Sequence, residues 1–212
     1  MKRNVYFCNM TRHKSVIKID MLGQHILPET GAKLVGVPMG EGYANYYAMQ
    51  PSRSGIMPDL PSSVLWRLCK EWKTPIVGLF KNEMFQHIIT AAYNYKLEYI
   101  QLDGQEAPCM IDNLRHTLVP DIRPSIKIMK RIAINTEEDM EKAMLYTQVA
   151  DNVILAIDSL KELNLVRQYN ESCPFILDIG TNKSLLPSAQ LINNDKCKGI
   201  NIAFTTQNDM EI

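Results

Sequence analysis

Cys8 closes the short apolar run VYFCNM. A thiol there acts as a base or nucleophile if nearby positive charge or helix N-termini stabilise its thiolate. The same position suits a buried packing cysteine, and the sequence alone leaves both readings open. Asp158 closes NVILAID, and an acid after six mostly apolar residues is expected to emerge where a strand ends. It either moves protons there or caps the helix starting near Ser159 and Leu160. Arg53, in QPSRSG, either clamps a carboxylate or phosphate with its planar fork or is simply solvated. Gln101 and Asp103 end LEYIQLDG, Asp178 and Gly180 end PFILDIG, and all four are expected to contact substrate.

These positions share a mouth only if the runs before them are parallel strands, whose C-terminal ends gather the loops that build active sites. The apolar runs are short and rich in β-branched residues: 5–10, 33–39, 75–80, 97–104, 125–134, 152–158, 174–180 and 199–204. Runs with helical spacing separate them, including NEMFQHIITAAYNY, EAPCMIDNLRHTL and TEEDMEKAMLYTQVA. In the last, Met140, Ala143, Met144 and Thr147 trace one expected face. Strand then helix, repeated, predicts parallel strands, and eight repeats favour closure over an open doubly wound sheet. The expected fold is a single (β/α)8 barrel over residues 1–212, its last helix shortened or missing because TTQNDMEI follows the eighth run directly. Residues 38–58, rich in glycine, proline and tyrosine, are expected as an active-site loop.

Composition removes several function classes. Lysine plus arginine equals aspartate plus glutamate at 23 each, so broad attraction to nucleic acid or anionic membrane is not expected. No stretch reaches the roughly 18 apolar residues of a membrane span, and a cytoplasmic location is expected. The five cysteines are widely spaced without a CxxC pair, which predicts neither a disulfide framework nor a zinc site; most are expected to be small buried hydrophobes. His13, His25, His87 and His116 lack metal-ligand spacing, and His87 and His116 fall on helical runs. No GxGxxG or Walker loop supports a nucleotide site.

Read together, these motifs resemble the phosphoribosylanthranilate isomerase family of tryptophan biosynthesis. Cys8, Asn9, Met10 and Thr11 stand where the family has Cys-Gly-Ile/Met-Thr, and Pro51, Ser52, Arg53 resemble its Ser-Pro-Arg. PIVGLFKN and YIQLDGQE are similar to its Val-Gly-Val-Phe-Val-Asn strand and Gln-Leu-His-Gly-Asp-Glu motif, and VADNVILAID to Ala-Asp-x-x-Leu-Leu-Asp. The resemblance implies an eight-stranded barrel, no cofactor, a small phosphorylated aminosugar as substrate, Cys8 as general base and Asp158 as general acid in an Amadori rearrangement.

Departures from the family pattern fall at the mouth. Asn9 replaces glycine, Asp103 replaces histidine, and SLKELNLVRQYN lacks the glycine-rich loop after the acid. At the phosphate-binding ends of strands seven and eight, Asp178, Ile179 and Gly180 replace a small residue and two glycines, and Ala203, Phe204 and Thr205 replace a Ser-Ser-Gly-like turn. Bulk and negative charge there weaken a phosphate cradle. Two further readings follow: a non-catalytic barrel binding a partner or forming a homo-oligomer through the truncated C-terminal side, or an enzyme whose Asp103 and Asp178 contact hydroxyls or an amine.

Overall fold

Short apolar runs bounded by turn residues form strands buried on both faces, and the amphipathic runs between them fold back as helices. The structure, a computed structural model, describes residues 5–10, 34–40, 42–43 and 75–204, with the backbone alone at 5–10 and at a few other strand and helix positions. The strands are β1 (Val5–Met10), β2 (Leu34–Pro38), β3 (Ile76–Phe80), β4 (Tyr99–Leu102), β5 (Lys127–Ala133), β6 (Asn152–Ala156), β7 (Phe175–Asp178) and β8 (Cys197–Phe204). Each pairs in parallel with the next, and β1 also pairs with β8, so the strand order closes on itself. From β3 to β8 the strands alternate with α1 (Phe85–Asn94), α2 (Pro108–Asp121), α3 (Glu137–Met144), α4 (Leu160–Val166) and a 3-10 turn, Lys183–Leu185, that runs into α5 (Leu186–Gln190). The run SSVLWRLCKEW (62–72), whose spacing predicts a helix, most of the loop at 38–58 and the C-terminal residues 205–212 lie outside the described residues.

Two apolar layers follow from strand alternation. Outward-facing Ile100, Leu102, Ile128, Leu155 and Leu177 pack with the helices, which contribute Ile88, Ala92, Ile111, Leu114, Met140 and Leu163. Inward-facing Leu34, Val77, Leu79, Met129, Ile154 and Ile176 fill the lumen. Two residues beyond Met129 and Ile176 the chain turns polar, at Arg131 and Asp178, and on β4 the same face carries Gln101 and then Asp103. That places the polar groups on the lumen face at the C-terminal ends of the strands.

The α3 run departs from its expected face. Met140 and Ala143 are buried, but Met144 is exposed and the α-helix stops there. The next hydrogen bonds tighten to three-residue spacing, from Leu145 N–H to the Lys142 carbonyl and from Tyr146 N–H to that of Ala143, which rotates the stripe and brings Ala150 into the interior. At the other end Thr136 and Asp139 form a capping box, the Asp139 carboxylate accepting from the Asn135 and Thr136 backbone N–H groups at 3.0 and 3.1 Å. The Asn135 N–H above all, with Lys142 and Thr136, holds the Asp139 pKa down at about 2. Asp139→Ala is expected to cost about 1 kcal/mol in urea unfolding at pH 7. Because the folded pKa is lowered, that contribution is present above the ordinary value of 3.8 and is lost as pH falls through about 2.

Cys173 and Cys197 are buried as expected, whereas Cys109 on α2 is exposed. His87 and His116 do lie in helices; the His87 Nδ1 is 2.9 Å from Glu83 Oε1. Among the described residues no helix is long and apolar enough to cross a membrane.

Candidate active site

Gln101 and Asp103 face the lumen from β4, and they are coupled. Gln101 Nε2 donates to Asp103 Oδ1 at 2.7 Å, and the Tyr43 hydroxyl, from the segment after β2, donates to Asp103 Oδ2 at 2.5 Å. From the neighbouring strand β5, Arg131 donates through Nε to Asp178 Oδ2 at 2.6 Å, and the Gly180 backbone N–H donates to Asp178 Oδ1 at 2.9 Å. Gly180 has φ near +53°, a left-handed conformation suited to glycine, which turns its N–H back towards the end of β7.

Burial sets the electrostatics of this layer. It pushes the Asp103 carboxyl up from its ordinary range, against the opposing pull of Arg131 and the two hydrogen bonds. Burial followed by the neighbouring Asp103 pushes the Tyr43 phenol up as well, so it serves as a neutral donor. Burial also opposes the charge on Arg131, but Asp178 and Asp103 outweigh it and raise its pKa. A carboxyl whose folded pKa is raised costs stability as pH rises from 3.8 towards the folded value, because the unfolded chain ionises first. Asp103→Asn is therefore expected to raise the melting temperature at pH 7 and to change it little at pH 3. Thermal melts at both pH values measure this; a destabilised variant at pH 7 would contradict it.

Asp158 follows β6 and is exposed. It is not the cap of α4: Ser159 takes that place in a capping box with Glu162. The Asp158 backbone is clamped, its N–H donating to Glu162 Oε2 at 2.5 Å and its carbonyl accepting from Asn182 Nδ2 at 3.0 Å. Its carboxylate makes no hydrogen bond among the described residues. Cys8 lies in β1, in register with Val35 of β2 and Ile202 of β8; its side chain, like the whole of Arg53, lies outside what is described.

A second polar joint fixes the mouth from outside. Lys130 and Glu106 are each 2 % exposed and form an ion pair at 2.8 Å. Lys130 Nζ also donates to the carbonyls of Gly104 at 2.6 Å and Leu102 at 3.2 Å. Glu106 accepts the N–H groups of Asn82 at 2.8 Å and Gly104 at 3.0 Å, and Asn82 Oδ1 accepts from Gln105 N–H at 2.6 Å. A Cβ on Gly104 would collide with Asn82, so only glycine permits the two loops to meet. Sequence reasoning missed Tyr43, Glu106, Lys130, Arg131 and Asn182. A charged residue inside the apolar run SIKIMKRIAI was the available signal for Lys130 and Arg131, since a strand buried on both faces holds charge only when it is paired.

No family model matches this chain. Curated relatives are N-(5'-phosphoribosyl)anthranilate isomerases: that of Trichormus variabilis is 26% identical over 129 residues, covering 56% of this chain and 59% of the relative. That of Nostoc punctiforme is 23% identical over 182 residues, covering 82% and 75%. Among solved structures, the phosphoribosylanthranilate isomerase of Thermotoga maritima superposes with a TM-score of 0.66 at 19% identity, over 94% of this chain and 87% of that one. The chain is a divergent relative of the phosphoribosylanthranilate isomerases. A further isomerase structure, in complex with reduced 1-(o-carboxyphenylamino)-1-deoxyribulose 5-phosphate, has a TM-score of 0.63 at 18% identity, covering 94% and 87%. The match to the Trichormus isomerase spans about 59% of its length.

The relationship gives the second joint its meaning. The isomerase-like motifs FKN and LDGQE supply Asn82, Gly104 and Glu106, which hold the loops after β3 and β4 together. Where this chain departs from the isomerase pattern, at Asp103 and Asp178, Arg131 lies between the two carboxylates, bonded to one and electrostatically coupled to the other.

Proposed function

We propose that this chain is a phosphoribosylanthranilate isomerase-type enzyme, converting an N-aryl aminoaldose phosphate to the corresponding aminoketose phosphate on a full (β/α)8 barrel. Asp158 protonates the ring oxygen, the C1–O bond breaks, and the nitrogen lone pair forms an iminium at C1. The Cys8 thiolate then takes the C2 proton, and the C2–H electrons form the C1–C2 double bond of an enaminol. Tautomerisation leaves a ketone at C2 and the amine at C1, with every atom of the substrate retained. The chain's own acid and base suffice for this sequence.

The observation that carries the reading is Asp158: an exposed carboxylate at the end of β6, held by backbone bonds on both sides and engaged by no described donor. A proton donor needs an anchored backbone and a free carboxyl oxygen, and the bonds at Asp158 N–H and carbonyl support that role for it. Named relatives with the same fold support the reaction type. The test is genetic. Expressed in a bacterium lacking its own isomerase, the chain is expected to restore growth without tryptophan, and the Asp158→Asn variant, expressed to the same level, is not. Equal rescue of growth by the wild type and by Asp158→Asn would contradict the assignment of the acid.

A further inference from the structure

Asn182 stands directly before the 3-10 turn Lys183–Leu185, a place where an asparagine side chain ordinarily accepts a backbone N–H of the turn that follows. It makes no such capping bond. Its Nδ2 instead donates to the carbonyl of Asp158 at 3.0 Å, 24 positions back in the chain, and its Oδ1 lies 2.6 Å from Ser184 Oγ. A carbonyl only accepts, so the atom facing Asp158 is the nitrogen, and the Ser184 hydroxyl donates to Oδ1. The amide is therefore held in one orientation from both ends.

The two side chains bonded to the Asp158 backbone differ in what else they do. Glu162 Oε2 also accepts from Ser159 N–H at 3.0 Å, which is its part in the capping box of α4, so the helix explains its position. Asn182 has no such role in its own turn. The loop that carries it is fastened to the same place: Ile157 N–H donates to the Asp178 carbonyl at 2.9 Å, and Asn182 N–H donates to the Ile179 carbonyl at 3.0 Å. Gly180, in the left-handed region, turns the chain between them, with its N–H on Asp178 Oδ1 and Arg131 Nε on Asp178 Oδ2. The end of β7 thus holds the end of β6 at two successive residues, Ile157 through the main chain and Asp158 through the Asn182 amide. Asn182 is half-buried and Ser184 exposed, so neither serves the apolar core.

We infer that Asn182, oriented by Ser184, is a positioning residue for the Asp158 carboxyl, fixing the peptide plane from which that side chain projects. The inference rests on the isomerase reading, in which Asp158 is the acid. Proton transfer tolerates little displacement, and a shift of about 1 Å is enough to cost roughly a hundredfold. Asn182→Ala is expected to lower kcat for phosphoribosylanthranilate by about ten- to a hundredfold while KM stays within about twofold, because the support acts on the chemical step and not on binding. Its melting temperature is expected to match the wild type. Ser184→Ala is expected to give a smaller fall in kcat, and the double variant to match Asn182→Ala alone, since Ser184 acts only through the amide. Full kcat in Asn182→Ala would overturn the inference and leave the isomerase reading standing. A loss confined to KM would overturn it too, because the loop would then grip substrate and not the acid. So would losses from the two single variants that multiply in the double variant. Folded wild-type protein without turnover, or turnover untouched by Asp158→Asn, would remove the acid and the inference together.

Discussion

Cys8→Ser and Asp158→Asn are each expected to lower kcat/KM for phosphoribosylanthranilate by a factor of about 10² to 10⁴, the usual worth of a positioned general base or acid. Serine nearly preserves the size of cysteine, but its hydroxyl is a far poorer proton acceptor at neutral pH than a thiolate. Asparagine preserves the shape of Asp158 and leaves the backbone bonds to Glu162 and Asn182 intact, so its effect is confined to the proton it cannot supply. The two losses are expected to be far from additive in the double variant, because one transition state uses both groups. Steady-state kinetics beside melting curves separate this from unfolding: the melting temperatures are expected to stay within a few degrees of the wild type. Single variants with nearly full activity would mean that other groups move the protons.

Lys130→Met is expected to destabilise the fold by about 3–5 kcal/mol, the cost of leaving a buried charge uncompensated. Methionine replaces the lysine stem but leaves Glu106, 2 % exposed, without its cation, and leaves the Leu102 and Gly104 carbonyls without their shared donor. At roughly 2–4 °C per kcal/mol for a chain of this size, the melting temperature should fall by roughly 6 to 20 °C. Adding Glu106→Gln is expected to recover part of the loss, since the amide oxygen still accepts from Asn82 while the buried charge is gone. A loss below about 1 kcal/mol, read from denaturant unfolding, would show that the joint does not hold the β3 and β4 loops.

Strands were legible because each is a short apolar run, and from β3 to β8 the order of their pairing followed from the helices between them. The end of α3 was not, because three-residue hydrogen bonding after Met144 rotates the apolar stripe, and a fixed helical period carries no sign of it. At the mouth the sequence located single residues but not their partners. Asp103 and Asp178 stood out as departures from a resemblance. What they do depends on Arg131, 28 and 47 positions away in the chain, and on Tyr43, 60 positions before Asp103. Asn182 gave no signal as a partner of Asp158, since an asparagine before a turn reads as a cap until the loops after β6 and β7 are placed side by side. Within the isomerase-like motifs Asn82, Gly104 and Glu106 hold the β3 and β4 loops together, a role that shows only when those loops are placed side by side.

The most direct measurement is turnover of freshly generated phosphoribosylanthranilate by the purified chain, followed as loss of its fluorescence. Turnover above the spontaneous rate in the wild type, abolished in Asp158→Asn and Cys8→Ser proteins that melt normally, is the predicted result. No turnover from folded wild-type protein, or equal turnover in all three, would contradict the account.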